Sequence, residues 1–110
     1  MPQVDFVYFN LSGHEITVTD LSGLPRNAQP GVLVAVQDDT NRLNEKSVTF
    51  SESVRITDAI KIVWDENGAS RTFEARRADL GLPTLLDSGQ IRLSYLGDGK
   101  WRVRFSRQNI

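Results

Sequence analysis

Cysteine is absent from the 110 residues. Disulfide frameworks, thiolate zinc sites, iron–sulfur clusters and cysteine nucleophiles are thereby excluded, and the fold must rest on its apolar core. The absence marks no compartment, because only the presence of cysteine bears on redox environment. Histidine is nearly absent as well. The single one, His14, stands in the turn-like Ser12-Gly13-His14-Glu15, and a Ser–His–Asp array would require it to leave that turn and meet both partners. A solvated turn histidine is the expectation. No window approaches the roughly eighteen apolar residues of a membrane span. Met1-Pro2-Gln3-Val4-Asp5 carries neither the basic nor the apolar region of a signal peptide, so none is expected there. A surplus of one charge is also missing, with 13 basic against 14 acidic residues. Dedicated nucleic-acid binders need a large positive excess for their phosphate contacts.

What is present is ordinary globular composition, 39% hydrophobic and 25% charged, in a length suited to one domain over residues 1–110. The dominant pattern is period-two alternation broken by turn residues. Val4 to Phe9 is a run of β-branched and aromatic residues ended by Asn10-Leu11-Ser12-Gly13. Ile16-Thr17-Val18-Thr19 alternates apolar with hydroxyl side chains and is expected to pair with the first strand. Leu21 to Gly31 holds Gly23, Pro25, Pro30 and Gly31, so a loop is expected. Val32 to Val36 and Ser47 to Phe50 read as short strands, and Val54-Arg55-Ile56 fits strand or turn equally.

The C-terminal half is plainer. Ile60 to Trp64 and Arg71 to Ala75 flank Asp65-Glu66-Asn67-Gly68, and Asn-Gly between two such runs signals a hairpin. Ile60, Ile62 and Trp64 should share a buried face, with Phe73 and Ala75 as cross-strand partners. Ala78 to Pro83 can form one helical turn before Gly81 and Pro83 stop it, and Leu85-Leu86 would cap the core. A second hairpin joins Ile91–Tyr95 to Trp101–Phe105 through Gly97-Asp98-Gly99-Lys100, placing Arg92, Arg102 and Arg104 outward. About seven or eight short strands predict an all-β, single-domain antiparallel β-sandwich, immunoglobulin-like in general architecture, with a small β-barrel as the alternative.

Chemistry-bearing groups are few. Carboxylates at Asp38-Asp39, Asp58 and Asp65-Glu66 fall in loops and turns, where acids serve solubility. Asp38, Asp39 and Asn41, with Asn44-Glu45, offer oxygen ligands for Ca²⁺, but without the EF-hand glycine. Asn10-Leu11-Ser12 matches a glycan acceptor by a pattern that arises easily by chance. Arg92, Arg102 and Arg104 form the most suggestive group, since the planar guanidinium suits carboxylates and phosphates. The aromatics of those strands alternate to the opposite face, which disfavours a single-stranded nucleic-acid platform. The loop at Leu24, Pro25 and Arg26 is a second partner-binding candidate, and equally Leu21 and Leu24 could plug an end of the sandwich. The expectation is a non-catalytic protein-interaction domain, such as a small bacterial accessory or immunity-type protein, docking an acidic surface without cofactor or metal. A carbohydrate- or calcium-binding module is the alternative.

Overall fold

A strand that is apolar on both sides needs cover on both faces and neighbours on both edges, which only a central position supplies. Strand β1 (Gln3–Asn10) is buried from Val4 through Asn10 and takes such a position. The computed structural model describes residues 2–36 and 46–107. Its strands continue as β2 (Ile16–Ser22), β3 (Val32–Leu33), β4 (Lys46–Phe50), β5 (Val54–Arg55), β6 (Ala59–Glu66), β7 (Ala69–Arg76), β8 (Leu85–Leu86), β9 (Ser88–Gly97) and β10 (Lys100–Ser106). One sheet has the order β10-β9-β1-β4, a second β3-β2-β6-β7, and β5 pairs with β8 alone. The two four-stranded sheets pack face to face as an all-β sandwich, and the likeness to immunoglobulin domains extends as far as this two-layer architecture.

The sheets are mixed, because β1 runs parallel to β9 while the other described strand pairs are antiparallel. The expected hairpin of β1 with β2 does not form. Val4, Phe6 and Tyr8 join the main core, whereas Asp5, Val7 and Phe9 are buried on the opposite face. β1 therefore lies between β9 and β4, and the chain crosses to the other layer before β2 begins. β2 is longer than expected, reaching Ser22 after an irregularity between Val18 and Asp20. β3 is shorter, covering Val32 and Leu33 only, with Ala35 bridging to Asn10 beyond it.

Both C-terminal hairpins follow the alternation. Ile60 faces Ala75 and Ile62 faces Phe73 in the β6–β7 register, and Trp64 is fully buried at the centre of the core. Asn67 and Gly68 both have positive φ, as do Asp98 and Gly99 in the β9–β10 turn, the geometry that matches strand twist in tight hairpins. Val54-Arg55 is a strand, completing a small ladder with Leu85-Leu86, and Leu86 is buried against the core. The expected helical turn is a 3-10 turn over Arg77–Leu80, closed by Gly81 at φ 69. No described helix is long and apolar enough to cross a membrane.

Candidate functional site

Period two sends Gln90, Arg92 and Ser94 of β9, and Arg102, Arg104 and Ser106 of β10, to the face away from the core. The register sets Arg102 opposite Ser94, Arg104 opposite Arg92 and Ser106 opposite Gln90. Two guanidinium-bearing residues thus stand directly across from each other, an arrangement that is destabilising unless other contacts of the two side chains or solvent offset it. Gln90, Arg92, Arg104, Phe105 and Ser106 line a pocket of about 210 Å³. Arg92 lies over the Phe9 ring at 5.5 Å and Arg107 over Phe105 at 5.5 Å, contacts of the cation–π type. Arg92, Arg102 and Arg104 each also engage a partner within the fold.

Gln90 is the anomaly of this face. It is 2% exposed, and its Nε2 has no hydrogen-bond partner among the described residues. Leaving such a buried donor unsatisfied costs about 1–3 kcal/mol. The Tyr8 hydroxyl, Arg77 Nε and Trp101 Nε1 are likewise buried without a partner among the described residues, and the Gln90 Nε2, like them, has no surface open to solvent although the residue lines the pocket. Asp5, in register with Gln90 on β1, accepts a 2.7 Å hydrogen bond from the Thr49 hydroxyl of β4, on the far side of its strand.

The other expected docking element lies elsewhere. Leu24 is 6% exposed and packs in the core with Leu21 and Ala28, so the loop plugs the sandwich and Leu24 is unavailable for docking. Pro25 is half-buried, and Arg26 opens a 3-10 turn (Arg26–Ala28) that lies against β2 and β4. Since β4 and β10 are opposite edges of their sheet, this loop and the arginine face are not brought together. Asp38, Asp39 and Asn41 lie outside the described residues, and among the described residues no group of three His, Cys, Asp or Glu could hold a metal. Asn10 is buried rather than presented to a glycan: its Nδ2 donates to the carbonyls of His14 at 2.6 Å and Leu33 at 3.0 Å. Its Oδ1 accepts from the Ser12 amide and hydroxyl.

This ordered loop brings His14 to a cluster that sequence reasoning missed. Glu66, the last residue of β6, is 8% exposed. Its carboxylate accepts hydrogen bonds from Trp64 Nε1 at 3.1 Å and from the Tyr95 hydroxyl. His14 Nε2 lies 2.5 Å from its Oε2, and Arg71 Nε 3.7 Å from its Oε1. Burial pushes this carboxyl up, but the bonds from Tyr95, Trp64 and His14 and the charge of Arg71 outweigh it and hold the pKa at about 2. The Tyr95 hydroxyl is pushed up by burial and by Glu66, and it accepts a bond from the Gly99 amide at 3.1 Å. The rings of Trp64, Tyr95 and Trp101 pack around this group in tilted and edge-on pairs with centroids 5.1 to 5.5 Å apart. A carboxylate held ionised and saturated with donors is a poor proton donor, so the cluster's chemistry is that of a fastening between three turns. His14 is thus half-exposed but paired. The available signal was parity: Glu66 follows Ile60, Ile62 and Trp64 on the inward face of β6.

Comparison with known protein families, with curated proteins and with solved structures gives no match to this chain.

Proposed function

We propose that this domain is a non-catalytic binding module that docks an acidic protein surface on the outer face of β9 and β10. The observation that carries the reading is the direct pairing of Arg92 with Arg104 beside a small pocket. Forked guanidinium groups at fixed strand positions suit carboxylates, which accept paired N–H donors. The pocket, about 210 Å³, is below the roughly 300–1,000 Å³ of sites that enclose a small-molecule ligand. A partner's side chain fits that scale better than a substrate does. Phe9, the aromatic beneath Arg92, is 1% exposed and so offers no open ring on which a nucleobase could stack. An accessory or immunity-type protein, one that binds and masks a partner, is the class this description fits.

The test is capture from the native lysate by the parent chain and by a variant carrying Arg92→Gln, Arg102→Gln and Arg104→Gln. One dominant protein should be retained by the parent at low salt, weakened at high salt and lost by the variant. Equal capture by the variant, or capture indifferent to salt, would refute the reading.

A further inference from the structure

We infer that β7 is a pairing edge for a second copy of this chain, joined antiparallel across a twofold axis at Phe73. The site lies on the other sheet from the arginine face and does not depend on that reading. Among the described residues β7 pairs with β6 alone, so its other edge has no strand neighbour. The hairpin register says which groups stand there. The two-residue turn at Asn67-Gly68 makes Glu66 and Ala69 its closing hydrogen-bonded pair. By the alternation of antiparallel ladders, Ala69, Arg71, Phe73 and Ala75 bond to β6, and Ser70, Thr72, Glu74 and Arg76 turn their N–H and C=O groups outward. These outward residues are all exposed. It is β6 that lies over β9 and β10, with Trp64 against Tyr95 and Trp101, which leaves β7 projecting at the side of the sandwich. An exposed strand of 8 residues without proline or bulge is a ready template for another strand.

The strand's own sequence selects its copy. A twofold axis perpendicular to the sheet keeps each side chain on its own face, so odd residues must oppose odd and even oppose even. With Phe73 on the axis, Ser70 opposes the second copy's Arg76, Arg71 its Ala75 and Thr72 its Glu74. This register engages every outward residue and sets no like charges directly opposite. Glu74, diagonal to its own copy, is held by Lys61 at 4.0 Å. The two Phe73 rings meet at a non-hydrogen-bonded position, where Cα atoms are about 4.5 Å apart and side chains are closest. That covers a ring the single chain leaves half-buried. Arg71, an inward charge of the kind that guards edges, is turned to Glu66 at 3.7 Å. The other sheet ends suit self-pairing less. β3 has 2 residues, β4 lies against the Arg26–Ala28 turn, and pairing β10 with itself would set Lys100, Arg102 and Arg104 against one another.

Sedimentation of the full chain over a concentration series, with hydrogen exchange at both ends of it, tests this. The parent should pass reversibly from monomer to dimer, with the Ser70, Thr72, Glu74 and Arg76 amides exchanging slowly only in the dimer. Thr72→Pro removes an outward amide and no bond to β6, so it should keep the parent's circular dichroism. It should dimerise at least about tenfold more weakly, since the symmetry deletes the bond twice. The chain has no native cysteine, so oxidation gives a second readout should the proline variant misfold. Phe73→Cys should cross-link into a covalent dimer well ahead of Glu52→Cys, which is exposed outside β7. A monomer at every concentration overturns the pairing and leaves the edge to a strand of another protein. Undiminished dimerisation of a folded Thr72→Pro, or cross-linking of Phe73→Cys no faster than Glu52→Cys, overturns it as well.

Discussion

Glu66→Gln removes a charge from the aromatic cluster while keeping its shape and one acceptor for Trp64 or Tyr95. On folding, the carboxyl goes from an ordinary 4.5 to about 2, which corresponds to roughly 3 kcal/mol favouring the charged form in the native state. His14 and Arg71 are 40% and 46% exposed, so salt screens their share and about 2 kcal/mol is the expected loss at pH 7. Because the folded pKa is depressed, this stabilisation is fully present above the unfolded value. It is lost as pH falls from about 4.5 through about 2. Urea unfolding, followed by the fluorescence of Trp64 and Trp101 beside the carboxylate, measures it directly. The parent and Glu66→Gln should differ by about 2 kcal/mol at neutral pH and converge near pH 2. A gap that stays constant between those conditions would assign the stabilisation to packing rather than to charge. No gap at pH 7 would refute the reasoning altogether.

Trp64→Ala should cost about 3–5 kcal/mol and abolish the near-ultraviolet circular dichroism of the ring cluster; a melt equal to the parent's would refute the central place given to this residue. Gly23→Ala should be severely destabilising by chemical denaturation, because an added Cβ would lie 2.1 Å from the Ala59 carbonyl oxygen at φ +83. Gly68→Ala, at similar φ but in open space, should cost only about 1 kcal/mol, and equal losses at both sites would deny the close approach.

The legible parts of this fold were those with local causes. Asn67-Gly68 and Asp98-Gly99 mark tight turns, and the alternation beside them fixed which side of β6, β9 and β10 faces inward. The parallel alignment of β1 with β9 has no local signature, since the pairing joins distant segments. Yet the unbroken run from Phe6 to Phe9 was itself a sign of a strand covered on both faces. The arginine face was readable from period two alone. Its pocket was not, because Gln90 reads as an ordinary polar residue on the solvent side until its burial is known. His14 misled for the converse reason: its turn context suggested solvent, and the bond to Glu66 spans 52 positions of chain.

The parallel pair also governs when the domain can come into being. Gln3 aligns with Ser88 and Asn10 with Tyr95, so a strand far downstream of β1 must leave the ribosome before β1 gains its β9 neighbour. Long-range pairing of this kind is slow, since the closure entropy of the intervening loop comes before any contact that offsets it. Until then β1 has only β4 available at one edge, and its apolar run is the segment most open to misassociation. The strand that holds the finished sandwich together is the one a growing chain must shield longest.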